Sequence, residues 1–146
     1  MLPLPAKYFY AACSEYMRRK WQGEWESSSA SKLQVVKPRL APWASSSRML
    51  RIEEVRLCRL RIGHTLAIHR YLLCGDPRPV CTRCGDHLSV SHVLVSCRCL
   101  VSERVRFFGS SRLTVKELLD DTSDHITEVF RFLNHVSFPV IFSPTL

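Results

Sequence analysis

The spacing of apolar positions predicts a helix near the start of the chain, over residues 6 to 25. Large apolar residues recur there at every fourth position, which places them in one stripe along a helix. The stripe consists of Phe9, Cys13, Met17, Trp21 and Trp25. Because a packed tryptophan buries a large area, we interpret Trp21 and Trp25 as packing anchors rather than base-stacking groups. After a serine-rich break, residues 32–37 are predicted to be a short extended segment that ends before Pro38.

A second helix is predicted from residue 48 to about Ile62, because three serines precede it and Gly63 follows it. Its apolar residues are expected on one side, with arginines over much of the remainder. The apolar set is Ile52, Val55, Cys58 and Ile62. Residues 65–73 are predicted to form a further short helix that ends at Gly75.

Helical periodicity continues after a cysteine-rich segment, with a predicted helix over residues 100–108 that ends at Gly109. Thr114 and Glu117 have the spacing of a capping box and should open a short helix. A last amphipathic helix is predicted from the apolar residues Ile126, Val129, Phe130 and Leu133. The fold class is therefore mostly α, a small helical domain with little strand.

The elements divide the chain into three predicted segments. Residues 1–47 contain the N-terminal helix and a Pro/Ser-rich connection, and residues 48–112 contain basic helices and the cysteine-rich segment. Residues 113–146 contain the C-terminal helices and an irregular tail.

The composition is that of a globular protein, with 46% hydrophobic and 23% charged residues among 146. No apolar run approaches the roughly 18 residues that a membrane span needs, and the first residues lack the features of a secretory signal. We therefore expect an intracellular protein, in the cytoplasm or nucleus, that does not bind membranes. Its seven cysteines should stay reduced there, which favours metal binding over disulfides.

The net charge of +8 is concentrated in residues 32–83. Eleven Lys and Arg face three acidic residues there, and nine of the eleven are Arg. A basic block beside an acidic tail predicts a polyanionic partner, through contacts to nucleic acid or phosphate, although a solvated surface is the simpler alternative. The predicted nucleic-acid contacts are Arg48, Arg51, Arg56, Arg59, Arg61, Arg78 and Arg83.

The cysteine-rich segment has the pattern C-x2-C-x7-H-x4-C, which predicts a CCHC zinc knuckle. Its ligands are Cys81, Cys84, His92 and Cys97. Three thiolates and one imidazole form the closed tetrahedral set that structural Zn²⁺ prefers. Ser89 is expected to cap the short helix that carries His92. Two alternatives stay open, with Cys99 in place of Cys97 as the fourth ligand and His87 as a weaker substitute.

Other motifs accompany the knuckle that ends His92-Val-Leu-Val-Ser-Cys97, namely Leu57-Cys-Arg-Leu-Arg-Ile-Gly-His-Thr65, His69 and Tyr71-Leu-Leu73. Together they resemble the C-terminal region of non-LTR (LINE-type) retrotransposon polyproteins, with most similarity to Jockey-like arthropod elements. In that family the region follows the reverse transcriptase and, where present, the ribonuclease H domain. The resemblance implies a module that handles the element's own RNA, with those upstream domains as further partners.

No catalytic constellation is predicted in this chain. Ribonuclease H needs several carboxylates around two metal ions, whereas Asp120, Asp121 and Asp124 are interpreted as solvated charges at a helix end. His64 and His69 have no carboxylate partner that the sequence reveals. We therefore expect a non-catalytic nucleic-acid-binding module, and the alternative is a scaffold domain that docks on the upstream polymerase or ribonuclease H domain.

Overall fold

The structure, a computed structural model, describes residues 5–28, 31–42 and 50–136. These residues are mostly helical, which confirms the predicted fold class. The α-helices are α1 (Ala6–Ser27), α2 (Lys32–Val36), α3 (Arg51–Ile62), α4 (Leu66–His69), α5 (Tyr71–Cys74), α6 (Val101–Phe108), α7 (Val115–Leu119) and α8 (Ile126–His135). Within the described ranges the only β pairing is one antiparallel bridge between Val80 and His87. None of the described helices is both long and apolar enough to cross a membrane.

The core is one cluster to which α2, α3, α6, α7 and α8 contribute. Helix α2 packs on α3 and α7, and α6 packs on α8. The largest fully buried side chains include Phe132, Leu57, Leu60 and Leu94. The extended structure predicted for residues 32–37 is wrong, since Lys32–Val36 is helical. Its valines favour strand in isolation, but burial of Val36 between helices outweighs that preference.

Helix α3 forms as predicted over its described part, but the predicted apolar face is wrong. Its buried residues are Leu57, Leu60 and Arg61. Ile52 and Ile62 are 41% and 40% exposed. At about 100° per residue, the two leucines lie on nearly the opposite side of the helix from the isoleucines. Because aliphatic residues occur on both sides, periodicity alone could not decide which side is buried.

Helix α1 is present as predicted, but none of its side chains is fully buried. Trp25 is half-buried, and its Nε1 donates a hydrogen bond of 2.8 Å to the backbone oxygen of Lys37. Trp21 is 56% exposed and Phe9 is 65% exposed. The interpretation as a packing anchor is therefore right for Trp25, which contacts Lys37, and wrong for Trp21, which faces solvent.

The remaining helix ends follow local signals in the sequence. Gly63, Gly75 and Gly109 adopt left-handed backbone conformations, with φ of 67°, 70° and 71°, directly after helices. Thr114 and Glu117 form the predicted capping box at the start of α7. Helix α8 is also confirmed, and its buried residues are Ile126, Val129, Phe132 and Leu133. The predicted irregular tail, residues 138–146, lies outside the described residues.

Candidate metal centre

The first two candidate ligands lie in a tight turn that we call the knuckle hairpin, residues 79–88. Backbone hydrogen bonds join Leu88 N to Pro79 O at 3.0 Å and Cys81 N to Asp86 O at 2.7 Å. Gly85 has a φ of +82°, a conformation that costs glycine little and other residues more. The C-x2-C-G sequence thus folds back on itself and directs both cysteine sulfur atoms to one side.

The other two candidate ligands lie at the two ends of one π-helical turn, His92–Ser96. Cys97 N donates to His92 O at 2.7 Å, closing a ring five residues long. In a regular α-helix, positions five apart point about 140° away from each other, so the wider turn brings these two ligands together. Ser89 Oγ accepts a 2.9 Å hydrogen bond from His92 N, which confirms the predicted cap.

The four predicted ligands converge. One ligand atom from each of Cys81, Cys84, His92 and Cys97 lies within 4.8 Å of the other three. The Cys97 sulfur is 4.0 Å from that of Cys81 and 3.8 Å from that of Cys84, whose sulfur is 3.2 Å from His92 Nε2. A sulfur tetrahedron around an ion with bonds of about 2.3 Å has edges of about 3.8 Å. These residues could therefore hold one metal ion.

The structure selects among the alternative ligands. Cys99 lies outside the group and is exposed, with its thiol directed to the backbone oxygen of Arg83 at 3.4 Å. His87 is exposed and takes part in the β bridge with Val80. Cys97 is fully buried. The group therefore contains Cys97, and neither Cys99 nor His87 substitutes for a member of it.

The three thiols of the group have unequal acidities. Burial raises the pKa of Cys81, but hydrogen bonds from the backbone of Arg83 and Cys84 and from the side chains of His92 and Cys84 together lower the pKa to about 6. The backbone N–H of Asp86 lowers the pKa of Cys84, but burial and the neighbouring thiols raise it to about 12. Burial also raises the pKa of Cys97. A bound cation would favour ionisation of all three sulfur atoms, because it stabilises thiolates directly.

Arg104, on α6, is a buried cation whose pKa depends in part on the candidate ligand Cys97. The residue is only 4% exposed. Burial lowers the pKa of the guanidinium, whereas the negative charge that Cys97 carries when ionised raises it. Among the described residues, its Nε and Nη1 have no hydrogen-bond partner. Three thiolates around a divalent ion carry a net charge of about −1, which a buried guanidinium can offset. No sequence motif marks Arg104.

The predicted nucleic-acid contacts divide into exposed and buried arginines. Arg51 and Arg59 on α3 are exposed, as are Arg78 before the hairpin and Arg83 within it. Arg56 is half-buried. Arg48 lies outside the described residues. The four exposed arginines thus lie on two elements, α3 and the segment around the knuckle hairpin.

Arg61 is the exception, and its assignment as a nucleic-acid contact is wrong. It is 6% exposed, and its Nε donates a 2.8 Å hydrogen bond to the backbone oxygen of Leu119. Its Nη2 lies 3.4 Å from the backbone oxygen of Asp120. Arg61 therefore joins α3 to the C-terminal end of α7, where backbone carbonyl groups accept its N–H groups.

The aspartates near this helix end do not resemble a two-metal site. Asp120 and Asp121 are half-buried and Asp124 is exposed. Within the described ranges, the Cys/His centre is the only group of three or more candidate ligands close enough to share a metal ion.

Comparison of the chain with models of protein families, with curated proteins and with solved structures gives no match.

Proposed function

We propose that this chain is a zinc-dependent nucleic-acid-binding module that acts on RNA and does not itself catalyse a reaction. The observation that carries the proposal is the convergence of Cys81, Cys84, His92 and Cys97, with the exposed Arg83 inside the same hairpin. A closed set of four protein ligands leaves no position for a catalytic water, which supports a structural role for the ion.

The donor set supports zinc as the ion. Thiolate sulfur is a soft ligand that magnesium and calcium bind poorly, whereas Zn²⁺ accepts three sulfurs and one imidazole in a tetrahedron. Cys81 and Cys97 also belong to the core cluster. An ion there would link the knuckle hairpin to the helical core, and such an ion contributes on the order of 10 kcal/mol to folding.

The distribution of arginine supports an RNA partner. Arg51 and Arg59 are exposed on α3, and Arg78 and Arg83 are exposed around the hairpin. Arginine forms forked hydrogen bonds to phosphate and stacks on bases, so it suits single-stranded or structured RNA. Single-stranded DNA offers the same phosphates and is the second candidate ligand.

The residue pattern from Leu57 to Cys97 supports a proposal about the larger protein to which this module belongs. We propose that it is the C-terminal module of a non-LTR retrotransposon polyprotein, since the motifs resemble that region. Its upstream reverse transcriptase and ribonuclease H domains would then be further partners.

An exposed apolar surface favours one alternative, a scaffold that docks on those upstream domains. Helix α1 exposes a set of large apolar side chains, each at least 42% accessible. They are Tyr8, Phe9, Tyr10, Tyr16, Met17 and Trp21. Large apolar side chains exposed in this number on one helix favour a protein-interaction site. A scaffold of this kind predicts RNA binding that is weak and nearly independent of salt.

A salt series on the zinc-loaded full chain separates the two functions. If the four exposed arginines each neutralise one phosphate, log K for single-stranded RNA should fall against log salt with a slope of about −3. Changing both Arg51→Gln and Arg59→Gln should flatten that slope by about 1.4 and leave the zinc content unchanged. A flat series for the unmodified protein would overturn the proposed function.

A second double variant provides the matched control. Arg18 and Arg19 are also exposed and, like Arg51, pair with a glutamate on their own helix. The Arg18→Gln and Arg19→Gln pair therefore removes the same charge from α1. An equal loss of slope in both variants would show that overall charge, and not α3, attracts the RNA.

A further inference from the structure

Several basic groups meet beside the C-terminal end of α3, outside the metal centre. The rings of His64 and His69 are stacked, with centroids 4.1 Å apart and an angle of 13° between their planes. Lys32 approaches from α2, and its Cδ would lie 3.0 Å from a Cβ placed on Gly63. Arg78, from the segment before the knuckle hairpin, is exposed, and its charge contributes to a lowered pKa of His69.

These neighbours affect the pKa of His69. Burial lowers the pKa of His69, and His64, Lys32 and Arg78 lower it further, whereas its hydrogen bond with the Thr65 backbone raises it. His69 Nδ1 lies 3.3 Å from Thr65 O. A carbonyl oxygen only accepts hydrogen bonds, so Nδ1 carries a proton and Nε2 is the atom left to gain one.

No carboxylate of the described residues forms an ion pair with Lys32, His64, His69 or Arg78. The acid nearest to Arg78 in sequence is Asp76, which acts on Arg70. Like charges held together repel one another, so an anion that binds among them gains their combined attraction.

We propose that Lys32, His64, His69 and Arg78 form a phosphate-binding site, and that phosphodiester groups of RNA are its ligand. The inference rests on the proposed function and assigns to it a second contact, separate from Arg51 and Arg59. Lysine and arginine supply fixed charge, while the imidazoles supply N–H donors whose number depends on pH. A free polyphosphate offers the same chemistry, so the two sources must be tested side by side.

The experiment follows the histidine ring resonances of the zinc-loaded full chain by NMR, with single-stranded RNA in one arm and inorganic tripolyphosphate in the other. Both ligands should shift the His69 signals and raise the pKa of His69. A rise of about 1 corresponds to tenfold tighter binding to the protonated ring. Since the anion prefers that form, affinity should increase as pH falls through the pKa of His69 and level off below it.

Two lysine variants show whether the effect belongs to this site. Lys32→Gln should weaken tripolyphosphate binding about tenfold, whereas Lys20→Gln, an equal charge change on the exposed face of α1, should leave it unchanged. Both variants should keep their zinc. Equal weakening by the two changes, or His69 signals that neither ligand moves, would overturn the site.

The RNA arm separates this inference from the proposed function. RNA that binds with the expected salt slope but leaves His69 unshifted would overturn the site and leave the function standing. Tripolyphosphate that shifts His69 when RNA does not bind would overturn the function and assign the site to free polyphosphate.

Discussion

The candidate metal centre and helix α3 are positioned by contacts of very different range. All four candidate ligands come from residues 81–97, and local backbone hydrogen bonds of the hairpin and the π turn orient them. Helix α3 is positioned by contacts with distant elements, among them the hydrogen bond from Arg61 to Leu119, 58 residues later. The comparison shows that a short spacing pattern can specify a site, whereas the direction a helix faces depends on what packs against it.

The largest expected effect is on the candidate metal centre, which local contacts position. Cys84→Ser should abolish metal binding and cooperative unfolding, because loss of a structural zinc removes on the order of 10 kcal/mol of folding free energy. Metal content by elemental analysis and thermal unfolding by circular dichroism would measure both. Cys99→Ser is the control, since that thiol lies outside the group. Equal zinc loss in the two variants would contradict the ligand set.

The second effect tests which side of α3 is buried. Leu60→Ala should destabilise the zinc-loaded protein by about 2–5 kcal/mol, because Leu60 is 2% exposed and truncation leaves a cavity. Ile62→Ala, at a residue 40% exposed, should cost less than about 1 kcal/mol. Urea denaturation at saturating zinc gives both values. A larger loss of stability from Ile62→Ala than from Leu60→Ala would show that the buried side of α3 is the one that periodicity predicts.

A third effect separates two neighbouring arginines of α3. Arg61→Met should cost about 1.5–3 kcal/mol, since it leaves the backbone oxygens of Leu119 and Asp120 without a charged donor. Arg59→Met should change stability by at most about 0.5 kcal/mol, because Arg59 is exposed. Urea denaturation at saturating zinc measures the stability of both variants. If Arg61→Met left the free energy of unfolding unchanged, the proposed role of Arg61 in joining α3 to α7 would be wrong.

The smallest expected effect is again on the candidate metal centre, at the cap that Ser89 provides. Ser89→Ala removes the hydroxyl that accepts from His92 N and should cost about 1 kcal/mol of stability. Ser91→Ala is the control, because Ser91 is exposed and makes no side-chain capping hydrogen bond. Competition with a zinc chelator would show whether the lost cap also weakens metal binding. A greater loss from Ser91→Ala would contradict the assigned cap.

The sequence by itself determined the features that depend on neighbouring residues. It specified the four converging ligands, the Ser89 cap, the Thr114 capping box and the helix ends at Gly63 and Gly109. Each of these arises within a few residues, or within one hairpin and the turn that follows it. Backbone geometry and side-chain type therefore suffice to predict them.

The tertiary structure alone decided which surfaces are buried. Val36 is buried in a helix although its valine-rich segment favours strand, Arg61 is enclosed while Arg59 is exposed, and Trp21 stays at the surface. It also brought Lys32 to Gly63. Such outcomes depend on helices that meet across long stretches of chain, and burial on contact outweighs the local preferences that a sequence pattern records.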